Sequence, residues 1–288
     1  MKFTIEKTAR TGFCFGVNRA IDILTKATAE RGSVETLGAI VHNHQVMQSL
    51  AGLGVKVASG LDEIRDNVVA IGSHGVSPEV ETEMRSRFSV VIDTTCPFVH
   101  RAQLTARRLA NAGFYVVVYG EANHPEVRGI LGYAQGKGLA TMDEAFIKSI
   151  AAMKPQPRRL GILSQTTQIP DAFTDFARKA IDSLLTKDAE LRFIDTICHD
   201  IRERQQEALE LARRVGLMLI VGSHTSANTN HLADLCATVT SSHLIENAEA
   251  LNPAWLTNCT TVGVTSGAST AEETIEAVVA RLEALRRR

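Results

Sequence analysis

The chain is constrained most by a phrase it repeats. Ile92–Cys96 reads I-D-T-T-C and Ile194–Cys198 reads I-D-T-I-C. In both, an apolar strand-like run passes through an Asp-Thr turn into a cysteine that opens a helical pattern. A looser version, T-G-F-C-F-G-V around Cys14, follows the apolar Phe3–Ile5. Counting 28 positions onward from each cysteine gives His42, His124 and Ser226, and two positions further stand His44, Glu126 and Asn228. A third set of loops, marked by Ser73, Ser164 and Ser266, reads G-S-H-G, S-Q-T-T and S-G-A-S. A repeat this long exceeds the roughly 20–50 residues of a solenoid unit and points to three α/β units.

Between these landmarks, apolar runs of strand length alternate with longer amphipathic stretches, the pattern of βαβ units with parallel sheets. The expected fold class is α/β, with three pseudo-threefold-related units that each hold a small, mostly parallel sheet. Their boundaries fall at 15–96, 97–196 and 197–288, and residues 1–14 supply a strand and the Cys14 corner that closes the ring. Strands are expected at Glu35–Val41 and Ala237–Val239, among others, and helices at Asp143–Ala152 and Asn247–Leu251. No Pro/Gly/Ser-rich linker separates the units. Because ligands collect beyond the carboxyl ends of parallel strands, the nine loops are expected to face one site.

Net charge is −1 over 288 residues, which gives no basic footprint for nucleic acid. No apolar run approaches the roughly 18 residues of a membrane helix, and no leader pattern opens the chain, so a cytoplasmic protein is expected. Five cysteines, an odd number, argue against a disulfide framework. Cys236 and Cys259 sit in apolar, strand-like runs and read as small buried hydrophobes.

Cys14, Cys96 and Cys198 occupy equivalent corners instead, which suits shared metal ligation. Paired C-x-x-C zinc ligands are absent from the sequence, and one thiolate per unit suits a bulky cluster. A [4Fe–4S] cluster on three cysteines leaves one iron open to substrate. The surrounding loops offer hydroxyls, amides and imidazoles, with scarcely any Lys or Arg: His42, His74, His124, Gln165, Thr166, Thr167, Ser226, Asn228 and Ser269. Neutral donors at helix N-termini make an anion pocket, and a phosphate would suit it. Glu126 is the one acidic residue at the inner loop positions, which favours proton delivery.

At these residues the chain resembles the IspH/LytB family, the hydroxymethylbutenyl diphosphate reductases of the non-mevalonate isoprenoid pathway. The resemblance rests on G-F-C-F-G-V, V-H-N, S-H-G-V-S, D-T-T-C-P, H-P-E-V, S-Q-T-T, D-T-I-C, S-A-N and S-G-A-S, in that order along the chain. It implies a cloverleaf around a [4Fe–4S] cluster and a two-electron, two-proton reductive dehydroxylation. Cys14, Cys96 and Cys198 would ligate iron, and Glu126 with Thr166 would deliver a proton. The histidines, Ser226, Asn228 and Ser269 would hold the diphosphate, and a ferredoxin or flavodoxin would bring electrons. The chain departs from the family pattern at Ala227, where serine is usual, and at Asp200-Ile201, where Ala-Thr is usual. Two other classes use the same parts, a cluster-dependent hydro-lyase and an iron–sulfur carrier or sensor, and redox stoichiometry and product analysis separate them.

Overall fold

The computed structural model describes residues 2–143, 145–153, 155–185 and 188–287. In chain order come β1 (Thr4–Lys7), α1 (Phe15–Arg31), β2 (Val34–Leu37), α2 (His44–Gly52), β3 (Val55–Ala58), β4 (Val68–Ile71), α3 (Pro78–Arg87) and β5 (Val90–Asp93). Next are α4 (Pro97–Asn111), β6 (Tyr115–Tyr119), α5 (Pro125–Gly132), β7 (Gly138–Thr141), α6 (Phe146–Ala152), β8 (Arg159–Ser164), α7 (Pro170–Leu184) and β9 (Glu190–Ile194). The chain ends with α8 (His199–Ala212), β10 (Leu217–Val221), α9 (Ala227–Ala237), β11 (Ser241–Ile245), β12 (Thr261–Ser266) and α10 (Glu272–Arg286).

The strands form three four-stranded sheets, ordered β3-β2-β4-β5, β7-β6-β8-β9 and β11-β10-β12-β1. Every pairing is parallel. The sheets share one topology, and β1 takes the edge place that β5 and β9 hold in the others. Register is shared too: the last residues of the two central strands pair as Leu37 with Ile71, Tyr119 with Ser164, and Val221 with Ser266.

By contact the chain divides into two compact units. The smaller takes in the chain up to Ile21, Val41–Gly52 and everything from His199 on; the larger holds Asp22–Ile40 and Leu53–Cys198. The sheet with β1 lies in the smaller unit and the other two lie in the larger.

Parallel strands with both faces covered are apolar throughout, and side-chain alternation then sorts them between two cores. In the smaller unit, Leu217, Leu219 and Val221 of β10 pack with Ile275, Val278 and Leu282 of α10. The alternate residues Met218 and Ile220 meet Leu211 of α8 and Leu232 of α9 on the other face. In the larger unit, Val116 and Val118 of β6 pack on Ala106 and Leu109 of α4, while Val117 faces Phe173 and Phe176 of α7. The β4 residues Val69 and Ile71 pack with Met84 of α3.

Several boundaries differ from expectation. Ala237 ends α9 instead of opening a strand, and the strand is the polar Ser241–Ile245. As an edge strand, β11 is partly solvated and so lacks an apolar signature. Cys236 is therefore helical. No helix spans Asn247–Leu251; a 3₁₀ turn forms at Pro253–Leu256. The strand expected at Glu35–Val41 stops at Leu37, because Gly38 turns the chain with φ +74. The helix expected from Asp143 begins at Phe146, and Glu144 lies outside the described residues. The helices α3 and α7 arise where no helix is assigned from the sequence. Both open on a proline at the first turn, where its missing N–H costs nothing. No helix among the described residues is long and apolar enough to cross a membrane.

Candidate active site

The three cysteine corners are built alike from different residues. Leaving β5, the Asp93 carboxylate accepts the Thr95 N–H at 2.8 Å, a side-chain turn that bends the chain. The Thr94 hydroxyl donates to the Ile71 carbonyl at 2.6 Å, and the Cys96 N–H donates to the Ser73 carbonyl at 3.0 Å. Leaving β9, Asp195 accepts the Ile197 N–H at 3.0 Å and the Thr196 hydroxyl donates to the Ser164 carbonyl. The Cys198 N–H reaches the Thr166 carbonyl at 2.9 Å. In the smaller unit Gly12, at φ +73, stands in for the threonine. Its N–H donates to the Ser266 hydroxyl at 3.1 Å, and the Cys14 N–H reaches the Ala268 carbonyl at 2.9 Å.

In each case the accepting carbonyl lies two positions past the strand end, at Ser73, Thr166 or Ala268. This corrects the serine-based register: Ser73 matches Thr166, while Ser164 and Ser266 match Ile71. Three positions past the strand end then stand His74, Thr167 and Ser269, all of them candidate ligands from the sequence. Thr94 and Thr196, both buried, are site-building residues that the search for ligands missed, although the repeated Asp-Thr carried their signal.

Each cysteine also sits at a helix start. Cys96 is the N-cap of α4, Cys198 directly precedes α8, and the Cys14 sulfur accepts the Val17 N–H at 3.5 Å. Helix N-termini favour a thiolate. Burial pushes the Cys14 thiol above its ordinary value, with the Val17 N–H opposing it. A thiolate there needs a cationic partner, a need that a bound metal would meet. The other two cysteines are engaged as donors elsewhere. Burial pushes Cys236 up to about 12, and its thiol donates to the Ala208 carbonyl at 3.8 Å. The Cys259 thiol donates to the Thr261 carbonyl at 3.1 Å.

The loops after β2, β6 and β10 keep their expected register, with His42, His124 and Ser226 each five positions past the strand end. His124 caps α5, its Nδ1 accepting the Glu126 N–H at 3.2 Å. That bond assigns the imidazole proton to Nε2. His124 meets His74 edge-to-face with centroids 5.3 Å apart. Ser226 caps α9 by accepting the Thr229 N–H at 3.4 Å. Beside His42 the capping falls one residue later, where Asn43 accepts the Val46 N–H at 3.2 Å.

Glu126 is 2 % exposed. One of its oxygens accepts the Thr166 N–H at 2.7 Å and the other the Thr166 hydroxyl at 2.9 Å. Burial pushes the carboxyl up to about 7 against the pull of these two bonds. Nearby, Gln165 is buried, and its Oε1 accepts the Glu121 N–H at 3.1 Å while its Nε2 has no partner among the described residues. In the smaller unit Asn228 is buried with both amide atoms unsatisfied among the described residues, and Ser269 is buried as well. Buried amides without partners are costly unless a polar ligand answers them. Of the departures, Ala227 opens α9, and Asp200 accepts from the buried Arg204 at 2.8 Å.

Known proteins match the chain over almost its whole length. The family model for LytB protein matches residues 5–283. A 4-hydroxy-3-methylbut-2-enyl diphosphate reductase of Dehalococcoides mccartyi is 54% identical over 281 residues, covering 98% of both chains. One of the same name from Geobacter metallireducens is 44% identical over 275 residues, covering 95% of this chain and 94% of that one. A solved structure of (E)-4-hydroxy-3-methyl-but-2-enyl diphosphate reductase, described as the terminal enzyme of the non-mevalonate pathway, superposes with a TM-score of 0.70 at 35% identity. That match covers 98% of this chain and 99% of the other. The Plasmodium falciparum reductase shares the fold with a TM-score of 0.89 at 23% identity, covering 97% of this chain and 88% of its own.

Proposed function

This chain belongs to the LytB family, and from that premise we propose that it reduces 4-hydroxy-3-methylbut-2-enyl diphosphate to isopentenyl and dimethylallyl diphosphates. The observation that carries the reading is the Glu126–Thr166 pair: a buried carboxyl held near neutrality, with two donors ready to stabilise it once its proton has gone.

The allylic C–O bond breaks, hydroxyl leaves as water, two electrons enter, and a proton adds to carbon. Glu126 supplies the proton that the departing oxygen takes. A group with a pKa close to the working pH is best matched to that task. As the proton leaves, the Thr166 N–H and hydroxyl hold the resulting carboxylate, so no rearrangement is needed. His42, His74, His124, Gln165, Thr167, Ser226, Asn228 and Ser269 are assigned to the diphosphate. The Nε2–H of His124 and the unsatisfied amides of Gln165 and Asn228 support that assignment.

Cys14, Cys96 and Cys198 are assigned to a [4Fe–4S] cluster, and their chemistry fits it: three thiols at helix starts, against two that are engaged as donors elsewhere. When bound, the cluster would supply electrons singly and one iron open to the substrate hydroxyl. Reduced thiols and low-potential chemistry suit the cytoplasm, with a ferredoxin or flavodoxin as donor. The test is anaerobic reconstitution, iron and sulfide counting, then turnover with a low-potential donor. Consumption of two electrons per product supports the reading, and dehydration without electron uptake would replace it with a hydro-lyase.

A further inference from the structure

The loop that carries Ser226 and Asn228 is anchored unlike its counterpart in the larger unit. We propose that Glu246 is the positioning residue that holds it for the diphosphate, an inference resting on the assignment of Ser226 and Asn228 as diphosphate ligands. In the larger unit, the loop after β6 is tied down by Gln165, whose side-chain oxygen accepts the Glu121 N–H at 3.1 Å. One position past the end of β12, where the matching anchor would stand, is Gly267. No side chain fits there: a Cβ on Gly267 would lie 2.1 Å from the Thr229 hydroxyl oxygen.

The smaller unit takes its anchor from the neighbouring strand. Glu246, the first residue after β11, turns back to the loop that follows β10. Its Oε1 accepts the Ser223 hydroxyl at 2.9 Å and the His224 N–H at 3.1 Å. From there the order propagates along the loop. The Ser223 hydroxyl oxygen accepts the Thr225 N–H at 3.3 Å, and the Ser223 carbonyl accepts the Ser226 N–H at 3.1 Å. The His224 carbonyl accepts from the Asn230 amide at 2.8 Å, which ties the loop to the first turn of α9. After β3 and β7 the corresponding residues are Ser59 and Met142, and neither carries a carboxylate.

Both anchoring bonds fall on one oxygen, and a carboxamide oxygen accepts both equally well. The role is therefore one of geometry, not charge, and Glu246→Gln keeps it while Glu246→Ala removes it. The experiment uses the reconstituted holoenzyme and both variants. It measures the Kd of inorganic diphosphate, KM and kcat with the substrate, and amide exchange across residues 222–230. Glu246→Ala is expected to weaken diphosphate binding and raise KM by about threefold to tenfold, the effect of a solvent-accessible anchor on a charged-ligand hydrogen bond. Its kcat should stay within about twofold, its iron content should match the parent, and the Ser226–Asn230 amides should exchange faster. Glu246→Gln should follow the parent throughout. Parent-like binding and exchange in Glu246→Ala would overturn the proposal, as would a Glu246→Gln variant as impaired as the alanine one. If the parent itself bound no diphosphate, the ligand assignment of Ser226 and Asn228 would fall. Faster exchange in Glu246→Ala alone would then still mark Glu246 as the anchor.

Discussion

A carboxyl that is 2 % exposed and accepts two hydrogen bonds from one threonine is pulled both ways, and at Glu126 burial wins. The sign of its effect on stability follows. The folded chain keeps the proton up to about pH 7, whereas an unfolded chain gives it up near 4.5. This group's contribution is thus fully present below pH 4.5 and is lost as pH rises toward 7, by roughly 3 kcal/mol over the interval. Glu126→Gln should remove that slope. Its amide oxygen accepts the Thr166 N–H and its amide donates to the hydroxyl, so the fold is kept. Denaturation midpoints of parent and variant at pH 5 and 7.5 check this, and parallel pH dependence in the two would show that Glu126 ionises freely. The same variant should hold its cluster and bind diphosphate yet lose about 10²–10⁴-fold in turnover. In the parent, kcat/KM should fall as pH rises past about 7, a limb the variant lacks. Near-normal turnover in Glu126→Gln would mean that the proton comes by another route. Glu126 stood out in the sequence because it was the lone acid among the inner positions. Its pairing with Thr166 came only from the family resemblance, because the two hydrogen bonds join positions 40 residues apart through the register of β6 and β8.

At the scale of elements, the strand–cysteine–helix corner is the repeated device, and replacing its cysteines tests its purpose. Serine at Cys14, Cys96 or Cys198 should abolish iron uptake and visible absorption, whereas serine at Cys236 or Cys259 should leave both intact. A cluster that survives without Cys96, or is lost without Cys236, would refute the division. The corners were legible because a side-chain turn needs Asp, the strand-end carbonyl needs a hydroxyl, and the thiol follows at fixed spacing: a local code. Two of the elements that escaped notice, α3 and β11, have their shape set from a distance. Only Met84 of α3 is buried, so that helix presents no apolar stripe. The edge strand β11 is polar because only one neighbour, β10, pairs with it. The helix α7 also went unassigned, although its signal is local: Pro170 opens it, and Phe173, Phe176, Ala180 and Leu184 are buried along it. The apolar Ala237–Val239 run misled because a helix C-terminus can be as apolar as a short strand. Register errors had the same origin: matching serine to serine put Ser73 with Ser164, whereas backbone pairing puts it with Thr166.

For the whole molecule, the decisive quantity is charge. A net charge of −1 gives an anionic diphosphate substrate no long-range attraction. Among the candidate diphosphate ligands there is no Lys or Arg; the donors are imidazole, amide and hydroxyl groups, of which Asn228, Ser226, Gln165 and Ser269 are buried. Short hydrogen bonds from buried neutral groups are barely screened, since the Debye length of about 10 Å at 0.1 M salt limits only exposed, distant charges. A pocket of lysines and arginines would behave otherwise, because its affinity would be Coulombic and its encounter rate steered. The expected outcome is therefore a kcat/KM for the diphosphate substrate that changes by less than about twofold between 0.1 M and 0.5 M potassium chloride. The measurement needs a small neutral electron-transfer mediator, so that salt cannot act through docking of a charged protein donor. A tenfold fall in kcat/KM over that range would assign substrate capture to basic residues that the site reading leaves out. A flat profile, together with competitive inhibition by inorganic diphosphate, would locate recognition in the neutral donors at the strand ends.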